Sequence, residues 1–145
     1  MERVQPRLVH YLARDAPDVG QEYGRYAGLL AAAPIDVALM GHGENGHIGF
    51  NDPHEADFHH PYKEGPLADP ALVPRAGLTL RCPALMAARV IVCCVPGRHK
   101  AEAVRNALEL PILEFCPGSI LRAHQNAHLF VDTGSASLLA RQDGP

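Results

Sequence analysis

Short apolar runs alternate along the chain with segments in which apolar residues recur at helical spacing. Residues 35–40 and 89–95 are apolar almost throughout, which is typical of parallel strands that are buried on both faces. A third run at 127–131 and two shorter ones at 8–12 and 78–80 complete the predicted strands. Strands separated by helices predict an open α/β sheet, mainly parallel and Rossmann-like, with helices on its flanks.

The helices are predicted between these strands. The alanine- and leucine-rich stretch before Pro34 ends at that proline, because proline has no amide hydrogen to continue the helical hydrogen bonds. Further along, Ala101, Val104 and Ala107 fall on one face, as in an amphipathic helix. The predicted helices are 21–33, 83–88, 100–108, 117–124 and 135–140.

The composition is that of one globular domain, and we predict a single domain over residues 1–145. Apolar residues make up 47% of the chain and charged residues 20%, which argues against disorder. The net charge of −3 and the scattered cations provide no basic surface for nucleic acid. No apolar run approaches the ~18 residues that a membrane-spanning helix needs. We therefore expect a soluble, cytoplasmic protein that binds neither nucleic acid nor membranes.

A long segment, 41–77, contains five prolines, and a loop of this length inside a compact domain is usually functional. Its first residues, 41–46, match the G-x-G-x-x-G pattern of dinucleotide-binding proteins. That pattern must open a long helix, whereas Gly49 and Pro53 argue against a helix here. We therefore do not predict a nicotinamide cofactor.

What remains is a flexible turn at the carboxyl end of a predicted strand. It displays Glu44, Asn45, His47, Asn51 and Asp52. Imidazole can exchange protons near neutral pH, and a neighbouring carboxylate can orient it and stabilise its charged form. Glycines on both sides allow the backbone to come close to a small polar ligand. The residues alone leave two interpretations open, a catalytic loop and a glycine-rich turn with a solvated histidine.

Three segments, in this order, resemble the glucosamine-6-phosphate deaminase (isomerase) family. The first is GENGHIGFNDP at 43–53, the second is VPGRHKAEAV at 95–104, and the third is PGSILRAHQNA at 117–127. The likeness extends from about position 35 to about position 139. The related 6-phosphogluconolactonases share the G-x-x-G-H core, but the residues I-G-F-N after the histidine favour the deaminases.

The resemblance implies the chemistry of that family, in which an amino sugar phosphate is isomerised and loses ammonia to give fructose 6-phosphate. His47 would move a proton at the ring oxygen and help to open the sugar ring, with Asn45 and Asp52 supporting that step. Asn45 stands where many members have Asp and cannot act as a base, so Asp52 would be the carboxylate partner. The implied substrate- and phosphate-binding residues are Lys100, Gly43 and Gly46. No cofactor and no metal are implied.

The residues around Lys100 support a phosphate site on independent grounds. Arg98, His99 and Lys100 lie just before or within the first turn of a predicted helix, where cations are disfavoured by ~0.3–1 kcal/mol each. A bound phosphate would make the cations favourable at this position, and helix N-termini bind phosphate readily. The alternative is that exposed cations tolerate so small a penalty.

His54, His59 and His60, together with Asp57, raise the separate question of a metal site. Their spacing fits no standard zinc pattern, and we prefer a solvated polar loop. The four cysteines form no C-x-x-C pair, and the adjacent cysteines at 93–94 would point to opposite faces of a strand. We therefore predict no metal.

The family's chain begins with a strand–loop–helix unit that carries a phosphate loop, and it later supplies a carboxylate that moves the proton between C2 and C1. Neither has a counterpart here, so the chain resembles the C-terminal half of such an enzyme. The family also has a phosphate-binding arginine in the segment between Asp52 and Pro74. Lys63 is the one residue we find there that could take its place. We expect little deamination by this chain alone.

Three hypotheses about function follow. The first is a deaminase-type enzyme acting on a phosphorylated amino sugar. The second is a non-catalytic sugar-phosphate-binding module, and the third is a lactonase-like hydrolase. The chain could also form a homo-oligomer, because an incomplete sheet would leave an unpaired edge strand that invites self-association.

Overall fold

The computed structural model describes residues 5–13, 15–53, 55–59, 62–63 and 79–140. In chain order the elements are α1 (Val19–Ala32), β1 (Val37–Gly41), β2 (Tyr62–Lys63), β3 (Thr79–Leu80), α2 (Cys82–Met86), β4 (Val90–Val95), α3 (Ala101–Glu109) and β5 (Ala127–Val131). Two 3₁₀ helices, Arg98–Lys100 and Pro117–Ala123, precede α3 and β5 respectively. Among the described helices, none is long and apolar enough to cross a membrane.

Three strands form a parallel sheet in the order β1–β4–β5. Val37 on β1 pairs with Val90 on β4, and Ile91 on β4 pairs with Ala127 on β5. Strands β2 and β3 pair separately as a short antiparallel ribbon. The predicted α/β class, with a parallel sheet and flanking helices, is confirmed.

The core lies on one face of this sheet. Cys93 and Val95 of β4 pack with Val104 of α3 in a buried cluster. The opposite face is open, since Leu39 is 75% exposed and Phe130 is 58% exposed. The expectation that residues 35–40 and 89–95 are buried on both faces is therefore wrong, because Leu39 of β1 and Cys94 of β4 are exposed.

Two further predictions are corrected within the described residues. Residues 8–12 form no strand, because Arg25 of α1 donates a hydrogen bond to a main-chain carbonyl of this segment at 2.8 Å and holds it along the helix. Residues 135–140 form turns where a helix was expected. The Asp132 carboxylate accepts from the Ser135 amide at 2.7 Å. This is the bond of a helix N-cap, so it closes a first turn, but the turns that follow do not continue as a helix.

The other predicted elements are present, the strand at 127–131 with the expected ends and the rest with ends that are shifted. Helix α1 begins at Val19 because Asp18 caps it, the carboxylate accepting from the Gln21 amide at 3.0 Å. Its last residue is Ala32, shortly before Pro34, as expected. The helix predicted at 117–124 has 3₁₀ geometry and ends at Ala123.

A buried carboxylate ties the N-terminal segment to α1. Glu22 is 5% exposed and accepts hydrogen bonds from Arg25 Nε at 2.6 Å and from the Ala13 amide at 2.8 Å. The Arg25 side chain, followed by the Ala13 amide, lowers the pKa of Glu22 to about 2. Attachment of the segment before α1 therefore depends on an ionised Glu22.

We expect the free energy of unfolding to fall as the pH is lowered from about 4.5 to about 2. A carboxylate whose pKa is depressed by folding stabilises the folded state above its unfolded pKa, and this stability is lost as the folded form is protonated. Glu22→Gln removes this contribution, so the variant is less stable at neutral pH and loses less stability on acidification. Urea unfolding of both proteins across this pH range measures the difference.

Glu102→Gln is the matched control. Glu102 lies 3.9 Å from Arg105 at the same i,i+3 spacing on a helix, but its side chain is exposed. We expect a change within ~0.5 kcal/mol, as is usual for surface substitutions. If the free energy of unfolding fell equally with pH in the wild-type and Glu22→Gln proteins, the assigned role of Glu22 would be contradicted.

Candidate functional site

Two loops meet at the carboxyl edge of the parallel sheet. The glycine-rich loop 42–53 leaves the end of β1, and the turn 96–100 leaves the end of the adjacent strand β4. The Lys100 ammonium donates to the His42 carbonyl at 2.7 Å and so joins the two loops. Ligands of open α/β sheets bind at this edge, which makes the junction the candidate functional site.

The glycine-rich loop is a tight turn closed by main-chain hydrogen bonds. The Gly43 amide donates to the His47 carbonyl at 2.8 Å, and the Gly46 amide donates to the Gly43 carbonyl at 3.1 Å. Gly46 has a φ of 94°, a conformation that residues with a side chain rarely adopt. A Cβ at Gly43 would lie 2.1 Å from the His47 ring. The imidazole therefore packs directly on the Gly43 backbone.

His47, Asn45 and Asp52 form one chain of hydrogen bonds. His47 Nδ1 lies 2.7 Å from Asn45 Oδ1, and Asn45 Nδ2 donates to Asp52 Oδ1 at 2.8 Å. Asp52 Oδ1 is also 3.6 Å from His47 Nδ1, close enough to interact with a protonated imidazole. The His47 side chain is 37% exposed, so a ligand can reach the ring. The structure thus brings together the three side chains predicted to act in catalysis.

These hydrogen bonds define which atoms carry protons. Asn45 Oδ1 also accepts from the His47 amide at 3.2 Å, while Asn45 Nδ2 faces the Asp52 carboxylate, so both ends of the amide set its orientation. An amide oxygen can only accept, so His47 Nδ1 carries a hydrogen and Nε2 is the free acceptor of the neutral ring. The ring can take up a proton at Nε2, with Asp52 placed to stabilise the positive charge.

Asn51, grouped with the polar loop residues on the basis of the sequence, has a structural role. It is 3% exposed, and its Nδ2 donates to the carbonyls of Ile48 at 2.8 Å and Leu80 at 2.9 Å. The Phe50 amide donates to Thr79 Oγ1 at 3.2 Å. These bonds attach the end of the glycine-rich loop to β3, and Asn51 is not accessible to a ligand.

The predicted cations lie in the 3₁₀ helix Arg98–Lys100, which leads into α3. Its preceding residue, Gly97, has a φ of 102°, and the Gly97 amide donates to Asp132 Oδ2 at 3.0 Å. His99 Nε2 lies 3.8 Å from Glu44 Oε1, so this ring faces the glycine-rich loop. A positive φ at one glycine and a carboxylate from beyond β5 therefore shape the cationic turn.

His42 was not among the predicted site residues, yet it contacts both parts of the junction. It is 3% exposed, and its Nε2 has no hydrogen-bond partner among the described residues. Burial, followed by the charges of His47 and Lys100, lowers the pKa of His42 to about 4, so the ring is neutral at neutral pH. A Cβ at Gly118 would lie 2.0 Å from His42 Nε2. The contact between His42 and Gly118 joins two distant segments, so the sequence around His42 gives no indication of it.

The loop after Asp52 forms no metal site in the described ranges. The Asp57 carboxylate is paired with Arg81 and accepts from the His59 amide at 2.7 Å. In the part of the chain that the structure describes, no cluster of three or more His, Cys, Asp or Glu side chains could hold a metal ion. Of the residues discussed from the sequence, His54, His60 and the side chain of Lys63 lie outside the part of the chain that the structure describes. The absence of a metal therefore stays a prediction.

A parallel sheet with a glycine-rich loop and a cationic turn at its carboxyl edge places the chain in the Rossmann-like α/β class. The sequence model of the family described as "Glucosamine-6-phosphate isomerases/6-phosphogluconolactonase" matches residues 1–130. The chain belongs to this family. The resemblance carried by the three sequence motifs is thereby confirmed.

Two curated relatives are named as glucosamine-6-phosphate deaminases. The proteins from Bacillus thuringiensis (strain Al Hakam) and Bacillus cereus (strain AH820) are each 35% identical to this chain over 135 residues. The matched region covers 85% of this chain and 51% of each relative. The chain therefore spans about half the length of these relatives.

Two solved structures have the same fold. A monomeric glucosamine-6-phosphate deaminase matches with a TM-score of 0.78 and 32% identity, over 86% of this chain and 56% of that protein. The 6-phosphogluconolactonase from Trypanosoma brucei matches with a TM-score of 0.70 and 23% identity, over 88% of this chain and 57% of that one. The second likeness, at its lower identity, supports the fold alone.

We expect Gly43→Ala to lower the free energy of unfolding by about 1–3 kcal/mol. The added methyl group would meet the His47 ring at 2.1 Å, and overpacking of this kind costs that much. Gly28→Ala is the control, since Gly28 is exposed on α1 with nothing within 4 Å of an added Cβ, and alanine should stabilise the helix by ~0.5–1 kcal/mol. Urea unfolding compares the two. A Gly43→Ala protein as stable as wild type would mean that the ring does not pack on this backbone.

Proposed function

We propose that this chain carries the ring-opening and phosphate-binding parts of a glucosamine-6-phosphate deaminase site, and so acts in carbohydrate and amino-sugar metabolism. The observation that carries the proposal is the hydrogen-bond chain Asp52–Asn45–His47, on the same sheet edge as Lys100. Family membership supports the sugar-phosphate substrate class. The 35% identity to named deaminases supports deamination over lactone hydrolysis.

His47 supplies the proton transfer in this proposal. Opening the sugar ring moves a proton from the hydroxyl at C1 to the ring oxygen as the bond between C1 and that oxygen breaks. The free Nε2 of the neutral His47 ring accepts the first proton and returns one to the ring oxygen. Asn45 holds the ring through Nδ1, and Asp52 stabilises the charged intermediate form of the imidazole. A group of this type contributes ~10²–10⁴ to the rate.

Lys100 contacts the phosphate in this proposal. An ammonium group has three hydrogens, and the bond to the His42 carbonyl uses one of them. The other two can be donated to phosphate oxygens, which suits an anion bound where the cationic turn enters α3. Gly43 and Gly46 complete the site, because backbone without a side chain lets a ligand approach closely.

Lys100→Ala should weaken the binding of glucosamine 6-phosphate roughly 10- to 100-fold, the cost of losing a hydrogen bond to a charged group. The binding of unphosphorylated glucosamine should change little. Titration calorimetry with both sugars measures this selectivity. Arg105→Ala is the matched control, since Arg105 lies on α3 and faces Glu102 at 3.9 Å, so its loss should leave both affinities unchanged. Equal losses for the two sugars in Lys100→Ala would show that Lys100 does not contact phosphate.

His47→Gln should slow ring opening by ~10²–10⁴ if the imidazole is the general acid–base group. Ring opening can be observed without deamination, because the open-chain sugar closes again to either anomer. Exchange NMR spectroscopy therefore measures how far this chain accelerates the interconversion of the α and β anomers of glucosamine 6-phosphate. The control is His10→Gln, since His10 is exposed and lies in the segment before α1.

Ammonia release in the same samples separates ring opening from complete deamination. We expect accelerated anomer exchange with little ammonia, since Asp52 already holds Asn45 and would otherwise have to serve a second step, the proton transfer between C2 and C1. A second candidate function, sugar-phosphate binding without catalysis, is favoured by Asn45, whose amide cannot act as a base. Saturable binding with no acceleration of anomer exchange would support binding alone and contradict the proposed ring opening.

A further inference from the structure

The segment that follows β5 lies beside the cationic turn, residues 96–100. Strands β4 and β5 are parallel and pair as far as Val95 and Val131, so the segments after them leave the sheet at the same edge. The sheet order β1–β4–β5 places the glycine-rich loop on one side of the cationic turn and residues 132–135, the β5 turn, on the other. The cationic turn is therefore flanked on both sides.

Two contacts join the β5 turn to the backbone of the cationic turn. Asp132 Oδ2 accepts a hydrogen bond from the Gly97 amide at 3.0 Å. A Cβ at Gly134 would lie 3.0 Å from the backbone nitrogen of Arg98, so the two backbones pack together without room for a side chain. The position of the cationic turn is therefore set in part by the β5 turn.

The Asp132 carboxylate is itself held in one orientation. Its Oδ1 accepts from the Ser135 amide at 2.7 Å, which leaves Oδ2 facing the Gly97 amide. Ser135 is fully buried, and its Oγ accepts from the Asp132 amide at 3.1 Å. Hydrogen bonds from Ser135, with a smaller effect from the Gly97 amide, lower the pKa of Asp132, so the carboxylate is ionised at neutral pH. Each carboxylate oxygen thus has its own N–H donor.

Gly97 transmits this constraint to Lys100. The Gly97 carbonyl accepts from the Lys100 amide at 3.0 Å, on the other side of the residue whose amide is bound by Asp132. The Lys100 ammonium donates to the His42 carbonyl at 2.7 Å. Lys100 is therefore fixed at its main chain as well as at its side-chain tip. A group that is already ordered loses less conformational freedom when it binds a ligand.

We propose that Asp132 is a positioning residue for phosphate binding, which acts through the Gly97 backbone on Lys100. The inference rests on the proposed contact between Lys100 and the phosphate of the sugar. The charge of Asp132 works against this role, because a carboxylate repels a phosphate bound nearby. The geometric effect and the charge effect of Asp132 therefore have opposite signs, and an experiment can separate them.

Asp132→Asn removes one acceptor and the charge at almost constant volume. The amide has a single oxygen, so it can accept from Ser135 or from Gly97 but not from both. We expect glucosamine 6-phosphate to bind about 3- to 10-fold more weakly, the usual cost of one hydrogen bond, and glucosamine to bind as before. Titration calorimetry measures both affinities. Unchanged or tighter binding of the phosphorylated sugar would overturn the proposal, and so would equal losses for both sugars.

A double-mutant cycle with Lys100→Ala tests whether the effect passes through Lys100. In the Lys100→Ala background, Asp132→Asn should cause no further loss, because the group that it positions is absent. Additive losses would overturn the proposal, which a merely structural role of Asp132 would produce. An affinity unaffected by Lys100→Ala would overturn the phosphate contact itself. A loss in Lys100→Ala without one in Asp132→Asn would overturn the role of Asp132 alone.

Asp36→Asn is the matched control for the change of charge. Asp36 precedes β1, at the opposite edge of the sheet, and its side chain is 74% exposed and paired with Arg89 at 2.9 Å. The substitution removes the same charge without touching the cationic turn. The affinities for both sugars should therefore stay at their wild-type values.

Gly134→Ala tests the same contact, should Asp132→Asn fail to fold. The added methyl group would lie 3.0 Å from the Arg98 nitrogen, so one of the two turns must move. Either the cationic turn shifts, or the β5 turn moves away and takes Asp132 with it, and Lys100 loses its position in both cases. Glucosamine 6-phosphate should again bind more weakly, with glucosamine unaffected. Unchanged selectivity in the folded variant would overturn the proposal. Gly28→Ala, with nothing within 4 Å of the added Cβ, is the control.

Discussion

The parallel pairing of β1 with β4 is the constraint on which the rest of the site depends. Both strands end at the same edge of the sheet, so the loop after β1 and the turn after β4 must leave it side by side. The Lys100 ammonium then reaches the His42 carbonyl at 2.7 Å across a separation of 58 positions in the chain. This strand order brings the cation that we propose binds phosphate to the loop that carries the histidine proposed to transfer protons.

The amide of Asn45 sets the orientation of the His47 ring, which we propose transfers the proton. It accepts from His47 Nδ1 and donates to Asp52, so it transmits orientation between the ring and the carboxylate without carrying charge. The Asp52 carboxylate still lies 3.6 Å from Nδ1, and it can stabilise the imidazolium across that distance. A neutral residue at this position keeps the geometry of the hydrogen-bond chain and leaves the charge stabilisation to one carboxylate.

The spacing of apolar residues was sufficient to predict an element where one face of that element is buried along its length. The strand and helix positions of β4, α3 and β5 followed from their apolar spacing, because these elements bury one face against the same core. The prediction of a strand was wrong at 8–12, where Arg25 of α1 donates a hydrogen bond to the Tyr11 carbonyl, and the prediction of a helix was wrong at 135–140, where the chain forms turns. The hydrogen bond from Arg25 joins two segments that meet only after folding.

The sequence by itself determined the α/β class, the family and the positions of His47, Asn45, Asp52 and Lys100. Only the tertiary structure decided what their atoms do. The proton on His47 Nδ1 follows from the orientation of the Asn45 amide, which is set from both of its ends. The burial of His42 follows from its contact with Gly118 on a distant 3₁₀ helix. Hydrogen-bond direction and burial depend on distances between segments far apart in the chain, and residue order along the chain does not specify them.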